Sequence, residues 1–290
     1  MPSAPDPDVL VDRLLRLALD EDIGPGDVTV DALVEAGAAA HGLFRARAPG
    51  VMAGGNVVRR LYGLLDPRIV LAARKADGDA FAPGDILLEI SGPAASVLSG
   101  ERAALNLLQH LCAVAALTRA FVEAVAGTGA AILDTRKTAP GQRILDKLAV
   151  RAGGGRNHRL GLYDMVLVKD NHLAVFGGPA AAVRRAREKK PGVPVMVEVD
   201  ALEQFSDALP AEPDYILLDN MPLAALREAV SRAHARAAAH PSWKRPELEA
   251  SGGVTLSTAR AVAETGVDRI SVGALTHGAG SVDIGLDFGE

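Results

Sequence analysis

Hydrophobic residues in the second half of the chain form short continuous runs that are separated by stretches with helical periodicity. Such runs are typical of strands buried on both faces, and strands that alternate with helices form right-handed parallel βαβ units. The pattern therefore predicts a (β/α) barrel. About 250 residues is typical of a complete barrel, so we expect this shorter region to form an incomplete one. The six runs are residues 130–137, 163–170, 193–200, 214–220, 248–253 and 268–275.

The first part of the chain, up to about residue 115, has a mixed pattern. Residues 8–20 carry apolar side chains at helical spacing, and the stretches GLFRARAPGVMAGG and DILLEISGP predict short strands that end in Gly and Pro turns. Residues 99–125 predict a long apolar helix with Ser99 as its N-terminal cap. We therefore predict an α/β domain over residues 1–115 and a barrel domain over residues 116–276.

Nearly every predicted barrel strand ends in a polar, charged or glycine residue. The carboxyl ends of barrel strands open onto one face, and that face holds the active site. Residues scattered along the chain are thus expected to meet in one pocket. The residues at these ends are Arg136, Lys137, Lys169, Glu198, Asp219, Ser251, Gly253 and Gly273.

Charge is unevenly distributed along this ordinary globular composition, in which 49% of the 290 residues are hydrophobic. The formal net charge of −5 excludes a whole-molecule field that would attract nucleic acid or an anionic membrane. Residues 134–172, however, carry eight Lys and Arg against four Asp, a net charge of +4. The sequence therefore predicts a local basic pocket for a small anionic ligand. Three further cations in this segment, Arg143, Lys147 and Arg151, are expected only to cover a helix surface.

Glycine-rich segments offer backbone amides that could bind phosphate. The sequence contains neither a GxxxxGK[ST] loop nor a dinucleotide-binding fingerprint in the required context. ASGGV and SVGALTHGAG follow the last two predicted strands, where such barrels commonly bind phosphate. Glu198 and Asp219 would repel phosphate unless they hold a divalent ion such as Mg²⁺ or bind ribose hydroxyls.

Cys112 is the only cysteine, which excludes an intramolecular disulfide and a multi-cysteine zinc site. Its apolar neighbours predict a buried structural thiol. The amino terminus has neither a basic start nor an apolar core, and no run approaches the about 20 apolar residues of a membrane span. We therefore expect a cytoplasmic protein that binds neither membrane nor nucleic acid.

Several of these motifs together resemble the quinolinate phosphoribosyltransferase family, over residues 18–278. The resemblance implies an open α/β sandwich domain joined to an incomplete barrel of the phosphoribosyltransferase type, with a tail at about 277–290 that returns to the first domain. It implies a homodimer or a hexamer, and transfer of phosphoribosyl from phosphoribosyl pyrophosphate to quinolinate with decarboxylation, in NAD biosynthesis. The motifs are EDIGPGDVT, ERAALNLLQ, DTRKTAPGQR, AVRAGGGRNHRLGLYDMVLVKDNH, LLDNM, EASGG and ISVGALTH.

The resemblance also implies roles for individual residues, with Mg²⁺ entering alongside phosphoribosyl pyrophosphate and no organic cofactor. The two carboxylates of quinolinate would be held by Arg136, His158, Arg159 and Lys169, and by Arg102 of the second subunit. Lys137 and Lys169 would face phosphoribosyl pyrophosphate, while Glu198 and Asp219 would hold its ribose hydroxyls and Mg²⁺. Those four residues form the expected catalytic set. The 5′-phosphate would be lined by Ser251, Gly252, Gly273 and His277, with Gly253 also in the substrate-binding set.

Two positions depart from the usual family pattern: Cys112 and Gly278 both stand where a serine is common. Residues 235–249 look longer than usual, and we expect them to form a surface excursion that holds the only tryptophan, Trp243.

Other functions remain open at this point. A relative with the same fold could act on nicotinate or belong to a group associated with molybdenum transport, although nicotinate has only one carboxylate for the basic cluster. Lys169 ends a predicted barrel strand, as the lysine of a Schiff-base aldolase does. A non-enzymatic protein that binds anionic metabolites or RNA is the third class, although 3% aromatic content gives base stacking little support.

Overall fold

The computed structural model describes residues 6–169, 171–173 and 177–289. The chain divides into two compact units. The first contains the described residues within 1–119, 137–154 and 274–290, and the second contains residues 120–136 and the described residues within 155–273. Residues 137–154 lie inside the predicted barrel range and nevertheless group with the first unit.

The first unit is built on a four-stranded antiparallel sheet with strand order β12-β1-β5-β3. Its strands are β1 (Ala39–Ala46), β3 (Val70–Ala73), β5 (Ile86–Pro93) and β12 (Ile284–Phe288), and a separate ladder joins β2 (Gly50–Val51) to β4 (Ala80–Phe81). β12 pairs with β1 from Gly42 opposite Phe288 to Ala46 opposite Ile284. The C-terminal segment is therefore a structural strand of this unit.

The helices that begin in this unit are α1 (Pro7–Ile23), α2 (Val28–Leu33), α3 (Gly55–Leu65), α4 (Ala94–Ser99), α5 (Glu101–Ala124), α6 (Arg143–Ala152) and α11 (Ala274–His277). The carboxylate of Asp6 caps α1 by accepting the amide of Asp8 at 2.9 Å. Gly24, at φ 54°, ends the same helix. The helix predicted over residues 8–20 thus runs three residues further before glycine stops it.

The predicted role of Ser99 as a helix cap is wrong. Ser99 is the last residue of the short helix α4, and its hydroxyl donates to Asp27 Oδ2 at 3.0 Å. The first bond of α5 runs instead from the Ala104 amide to the Gly100 carbonyl, at 3.0 Å. The Ser99 hydroxyl is bonded to the carboxylate of Asp27, which is distant in the chain. The spacing of residues along the chain could not show this contact, and so it predicted the wrong cap.

The second unit holds six parallel strands in the order β6-β11-β10-β9-β8-β7. They are β6 (Ala131–Leu133), β7 (Val166–Val168), β8 (Val195–Val199), β9 (Tyr215–Asp219), β10 (Glu247–Ser251) and β11 (Arg269–Ser271). Five of the six predicted runs contain one of these strands, and the run at 248–253 overlaps β10, which begins one residue earlier. The first strand pairs with the last, and no pairing joins β6 to β7 among the described residues. This is the open barrel that the sequence predicts, and it confirms the fold class.

Four helices of the second unit follow its strands: α7 (Pro179–Lys189), α8 (Leu202–Ala208), α9 (Leu223–Ala239) and α10 (Leu256–Ala263), with a 3₁₀ turn at Leu209–Ala211. Val195, Met196 and Val197 of β8 are fully buried. Burial on both faces explains why the strand sequences are apolar until their last positions.

Residues 235–249 do not form the expected surface excursion. Residues up to Ala239 continue α9, and β10 begins at Glu247. The Trp243 side chain is buried, and the Arg236 guanidinium lies 5.2 Å from the centre of its ring. The indole is buried because burial of a large apolar ring is favourable, and the arginine adds a cation–π contact.

The expectation that Lys147 merely covers a surface is also wrong, because only 4% of Lys147 is exposed. Its neighbour Asp146 is fully buried, with Oδ1 2.7 Å from His110 Nε2. Arg151 on the same helix is exposed, as expected. The buried side of α6 thus carries polar as well as apolar side chains. The helical spacing of apolar residues in the sequence could not predict that charged residues are buried there.

Helix α5 is the one helix of the described chain that is long and apolar enough to cross a membrane, a feature not expected from the sequence. Its most apolar window is 56% buried inside the protein, and the core helix of a soluble protein passes the same test. Cys112 lies in this helix, fully buried, with Sγ 3.7 Å from the Ala53 carbonyl oxygen. Burial raises the pKa of this thiol to about 12, in agreement with the predicted structural role.

Candidate active site

Strand register in the second unit aligns charged residues across the sheet. Glu198 lies beside Leu217, Leu217 beside Glu249, and Glu249 beside Arg269. Residues in register on neighbouring strands point to the same face. Two residues further along β9, Asp219 is in register with Ser251 of β10. The carboxyl ends of the strands therefore present acids and a hydroxyl together.

Lys169 follows β7 directly, and its ammonium pairs with the carboxylate of Glu198 on β8. Lys169 Nζ lies 3.1 Å from Glu198 Oε2. The lysine side chain is 47% exposed and that of the glutamate 18% exposed. A half-exposed ion pair of this kind contributes only about 0–1 kcal/mol to stability. An anionic ligand can therefore replace Glu198 as the partner of Lys169 with little loss of free energy. The amide of Lys169 donates to His172 Nδ1 at 2.9 Å, while Asp170 of the same motif lies outside the described residues.

Arg136 and Arg159 are close enough to influence each other electrostatically. Arg159 is 9% exposed and donates from Nη1 to the Met165 carbonyl at 3.2 Å. Burial, and then the positive charge of Arg136, lower the pKa of Arg159, while Asp164 and Glu198 act in the opposite direction. Two guanidinium groups that repel each other in a buried place favour binding of an anion.

The segment that carries His158 is held by a carboxylate that the sequence analysis missed. Asp134 is fully buried, and its Oδ1 accepts the His158 amide at 2.8 Å. Its Oδ2 accepts the side-chain amide of Asn157 at 2.6 Å. The sequence did contain a signal for Asp134, because this acid is the first residue of the DTRKT motif and directly follows an apolar strand.

Glu249 is a second missed carboxylate, and it is also fully buried. It accepts a short hydrogen bond from the Ser271 hydroxyl, and its Oε1 lies 3.3 Å from His158 Nε2. Its Oε2 lies 2.9 Å from Arg269 Nε. Burial by itself raises the pKa of Glu249, but His158, Arg269 and Ser271 together lower it below the usual glutamate range.

The loop after β10 comes close to the loop after β9. The Asn220 amide donates to the Ser251 carbonyl at 2.8 Å, and its side chain donates to Asp219 Oδ2 at 2.8 Å. Gly252 and Gly253 have φ values of +96° and +60°, and both are exposed. Glycine leaves the backbone uncovered here, so a ligand can approach the loop closely.

Three predicted site residues belong to the first unit: Arg102, Lys137 and His277, all exposed. Arg102 is the second residue of α5 and His277 the last of α11. The Thr276 hydroxyl donates to the Lys137 carbonyl at 2.7 Å, which connects residue 137 to α11. The predicted residues in the second unit are Arg136, His158, Arg159, Lys169, Glu198, Asp219, Ser251, Gly252, Gly253 and Gly273.

No group of three or more His, Cys, Asp or Glu side chains suited to a metal ion occurs within the described ranges. Glu198 and Asp219 supply at most two carboxylates on neighbouring strands. That donor set fits Mg²⁺, which is usually held by one or two carboxylates together with waters and the phosphates of a ligand.

The fold and the site define an open α/β-barrel protein suited to a small, highly anionic ligand. Residues 27–112 match the family model "Quinolinate phosphoribosyl transferase, N-terminal domain", and residues 114–287 match the model of the C-terminal domain of the same family. These matches cover most of the chain. The chain belongs to the quinolinate phosphoribosyl transferase family.

Individual relatives agree with the family match. A nicotinate-nucleotide pyrophosphorylase (carboxylating) from Mycobacterium leprae is 45% identical over 279 residues, covering 94% of this chain and 95% of the relative. A probable enzyme of the same name from Bacillus subtilis is 40% identical over 276 residues, covering 95% and 92%. The structure of the nicotinate-nucleotide pyrophosphorylase from Francisella tularensis superposes with a TM-score of 0.90 at 34% identity, covering 99% of this chain and 98% of that one.

Proposed function

We infer that this protein transfers phosphoribosyl from phosphoribosyl pyrophosphate to quinolinate with loss of CO₂. The products are nicotinate mononucleotide and pyrophosphate, and the reaction belongs to NAD biosynthesis. The enzyme is a pentosyltransferase. The observation that carries this conclusion is the family match across residues 27–287, together with relatives of this activity that align over nearly their whole length.

The basic cluster fits a ligand with two carboxylates. Arg159 is buried and experiences the positive charge of Arg136, and the ion pair of Lys169 with Glu198 is half exposed. Arginine binds carboxylates through paired hydrogen bonds, and lysine acts as a point charge. Quinolinate supplies two adjacent carboxylates, whereas nicotinate supplies one and would leave part of the cluster without an anion. Quinolinate is therefore the better substrate for this arrangement.

Phosphoribosyl pyrophosphate is assigned to the carboxyl ends of β8 to β11. In this proposal Glu198 and Asp219 hold the ribose hydroxyls and the Mg²⁺ that accompanies the pyrophosphate. Lys137 and Lys169 face the same substrate. The backbone of Ser251, Gly252 and Gly253, with Gly273 and His277, lines the 5′-phosphate. The uncovered glycine backbone of this loop supports the phosphate role.

The chemistry needs orientation and charge more than proton transfer. Loss of pyrophosphate leaves positive charge on the ribose C1, which nearby carboxylates such as Glu198 and Asp219 stabilise. Mg²⁺, when bound, neutralises the leaving pyrophosphate. Attack by the pyridine nitrogen makes the ring cationic, so the bond between C2 and the adjacent carboxylate breaks and CO₂ leaves. The electron pair that remains on C2 beside that nitrogen then takes up a proton from solvent. The pyridine nitrogen carries no proton, so no general base is required, and the basic residues act as positioning groups.

The proposal includes assembly and location. Arg102 is exposed at the start of α5, so it is available to reach the active site of a second subunit in a homodimer or hexamer. A cytoplasmic location is part of the same proposal, since both substrates are soluble small molecules.

A Schiff-base aldolase that uses Lys169 is less well supported. An amine that attacks a carbonyl must be uncharged, whereas Lys169 Nζ is ion-paired with Glu198 at 3.1 Å. The nearby arginines would bind an anionic substrate in either enzyme. The ion pair of Lys169 with Glu198 is therefore the feature that argues against an aldolase. Borohydride trapping with a carbonyl substrate tests this alternative directly.

The test of the main function is an assay of the purified protein with quinolinate, phosphoribosyl pyrophosphate and Mg²⁺. CO₂ and nicotinate mononucleotide are followed together, with nicotinate as a parallel substrate. Equal amounts of both products from quinolinate alone support the proposal. Turnover of nicotinate only, or of neither substrate, contradicts it.

A further inference from the structure

We propose that Glu249 is a positioning residue of the quinolinate site: it selects one tautomer of His158, whose ring then orients Arg159 instead of binding the substrate. This inference rests on the proposed function, because it concerns how the carboxylate-binding arginine is held. It also changes the role of His158 from a direct quinolinate ligand to an internal support.

The first argument is that both ring nitrogens of His158 face partners within the protein. Nδ1 accepts the amide of Arg159 at 2.7 Å, so this nitrogen carries no proton. A neutral imidazole has one donor and one acceptor nitrogen. The proton therefore lies on Nε2, which is 3.3 Å from Glu249 Oε1. Carboxylate and backbone amide together select a single tautomer.

The second argument is that Glu249 acts only through other side chains. It is fully buried, in register with Arg269, and contacted by Arg269 and Ser271 as well as His158. The Arg269 guanidinium in turn lies over the Tyr215 ring at 4.3 Å. A buried carboxylate persists in its charged form only when such partners surround it. Glu249 thus supplies a fixed negative charge behind the site.

The third argument is that the Asn157–Arg159 segment is fixed from two sides. Asp134 binds the Asn157 side chain and the His158 amide, while the His158 ring binds the Arg159 amide. The Arg159 side chain adds a bond to the Met165 carbonyl. These contacts leave the backbone and guanidinium of Arg159 with little freedom.

The physical need for this support follows from charge repulsion. Arg159 experiences the positive charge of Arg136, which is unfavourable before an anion binds. An unsupported side chain would move away from that charge and would have to be reoriented when quinolinate arrives. Preorganisation by surrounding residues removes this cost from the binding step.

The test combines kinetics with ¹⁵N NMR of the histidine rings. We expect Glu249→Gln to raise KM for quinolinate by about tenfold or more, the size of loss typical when the partner behind a metal-binding histidine is removed. KM for phosphoribosyl pyrophosphate should stay within about twofold. The matched control is Glu247→Gln, since Glu247 is exposed on the same strand and also approaches Arg269, at 3.5 Å, but not His158. We expect the control to leave both KM values unchanged.

The NMR measurement uses the full protein labelled with ¹⁵N-histidine, with no substrate present. The His158 signals are assigned by their loss in His158→Gln. We expect wild-type His158 to be protonated at Nε2 and unprotonated at Nδ1. In Glu249→Gln the Arg159 amide still keeps Nδ1 unprotonated, but a neutral amide replaces the carboxylate that faces Nε2. We therefore expect the Nε2 signal to shift in Glu249→Gln and to stay unchanged in Glu247→Gln.

A second variant separates positioning from folding, because Glu249→Gln leaves the buried Arg269 with only its more distant, exposed partner Glu247. The double variant Glu249→Gln with Arg269→Gln removes both charges, and we expect it to fold and still show the raised KM for quinolinate. An unchanged KM in a folded variant, or a wild-type His158 protonated at Nδ1, overturns the inference. Failure of wild-type protein to turn over quinolinate would instead overturn the proposed function, and the tautomer measurement would still decide the Glu249–His158 contact.

Discussion

Gly252 and Asn220 approach each other so closely that a Cβ atom on residue 252 would lie 2.1 Å from Asn220 Oδ1. Residue 252 also has φ +96°, a conformation that side chains other than glycine rarely adopt. Asn220 is in turn bonded to Asp219 through its side chain. The loop of Gly252, which we propose binds the 5′-phosphate, therefore contacts Asp219, the proposed ribose-binding carboxylate, through Asn220.

Gly252→Ala is expected to disturb Asp219 through Asn220. A displacement of about 1 Å in a catalytic group can lower turnover about 100-fold, and we expect a loss of that size in kcat/KM for phosphoribosyl pyrophosphate. Gly192→Ala is the control, because residue 192 is exposed outside the site, has φ +78°, and a Cβ added there would have no atom within 4 Å. Equal losses in the two variants, measured at matched thermal stability, would contradict the connection.

Lys169→Met is expected to remove activity without unfolding the protein. The lysine binds anions in the proposed site, so kcat/KM should fall about 10²- to 10³-fold. The ion pair with Glu198 is half exposed, so the free energy of unfolding should change by about 1 kcal/mol or less. Steady-state kinetics and urea unfolding measure the two effects.

Lys189→Met is the matched control for that experiment. Lys189 is exposed at the end of α7 and has no assigned role in the site. It should keep full activity. Comparable loss in both variants would show that the effect of Lys169 is not specific to the site.

Asp66 predicts a pH dependence of stability. The guanidinium of Arg68, and then the Ser96 hydroxyl, hold the pKa of this carboxyl well below its usual range. The stabilisation is present above the unfolded pKa of about 3.9 and is lost as the pH falls through the lower folded value. The stability difference between wild type and Asp66→Asn should therefore be smaller at pH 3 than at pH 7. Urea unfolding at both pH values measures it.

The control for Asp66 is Glu188→Gln, which removes an acid from an exposed pair with Arg185. Exposed pairs contribute little, so this variant should match wild type at both pH values. If the difference for Asp66→Asn were equal at pH 7 and pH 3, the carboxylate would not be stabilised in its charged form.

Cys112 should be inert in the folded protein. Its thiol is fully buried, and burial raises its pKa to about 12, so almost no thiolate forms near neutral pH. An aromatic disulfide reagent should react with one thiol per chain only after denaturant is added. Cys112→Ala gives the blank. Rapid modification of the native protein would show that α5 opens readily.

The sequence by itself determined the strands and the face of the sheet on which the candidate site is predicted. Parallel strands buried on both faces must be continuously apolar, so the runs around Val195–Val199 and Tyr215–Asp219 were visible without a structure. Polar residues at the ends of those runs had to meet at one face. The basic segment around Arg159 could be recognised because its charge opposes that of the rest of the chain.

Only the tertiary structure decided which charged residues lie inside. Asp134 and Glu249 are fully buried, yet in the sequence Asp134 looks like an ordinary acid after a strand and Glu249 like one within a strand. Lys147 and Trp243 were likewise expected at the surface and are buried. The burial of a polar group depends on partners distant in the chain, as Glu249 depends on His158. The spacing of residues in a sequence indicates only which residues are close along the chain. Packing brings distant partners such as Glu249 and His158 together, and through His158 it determines how Arg159 is held.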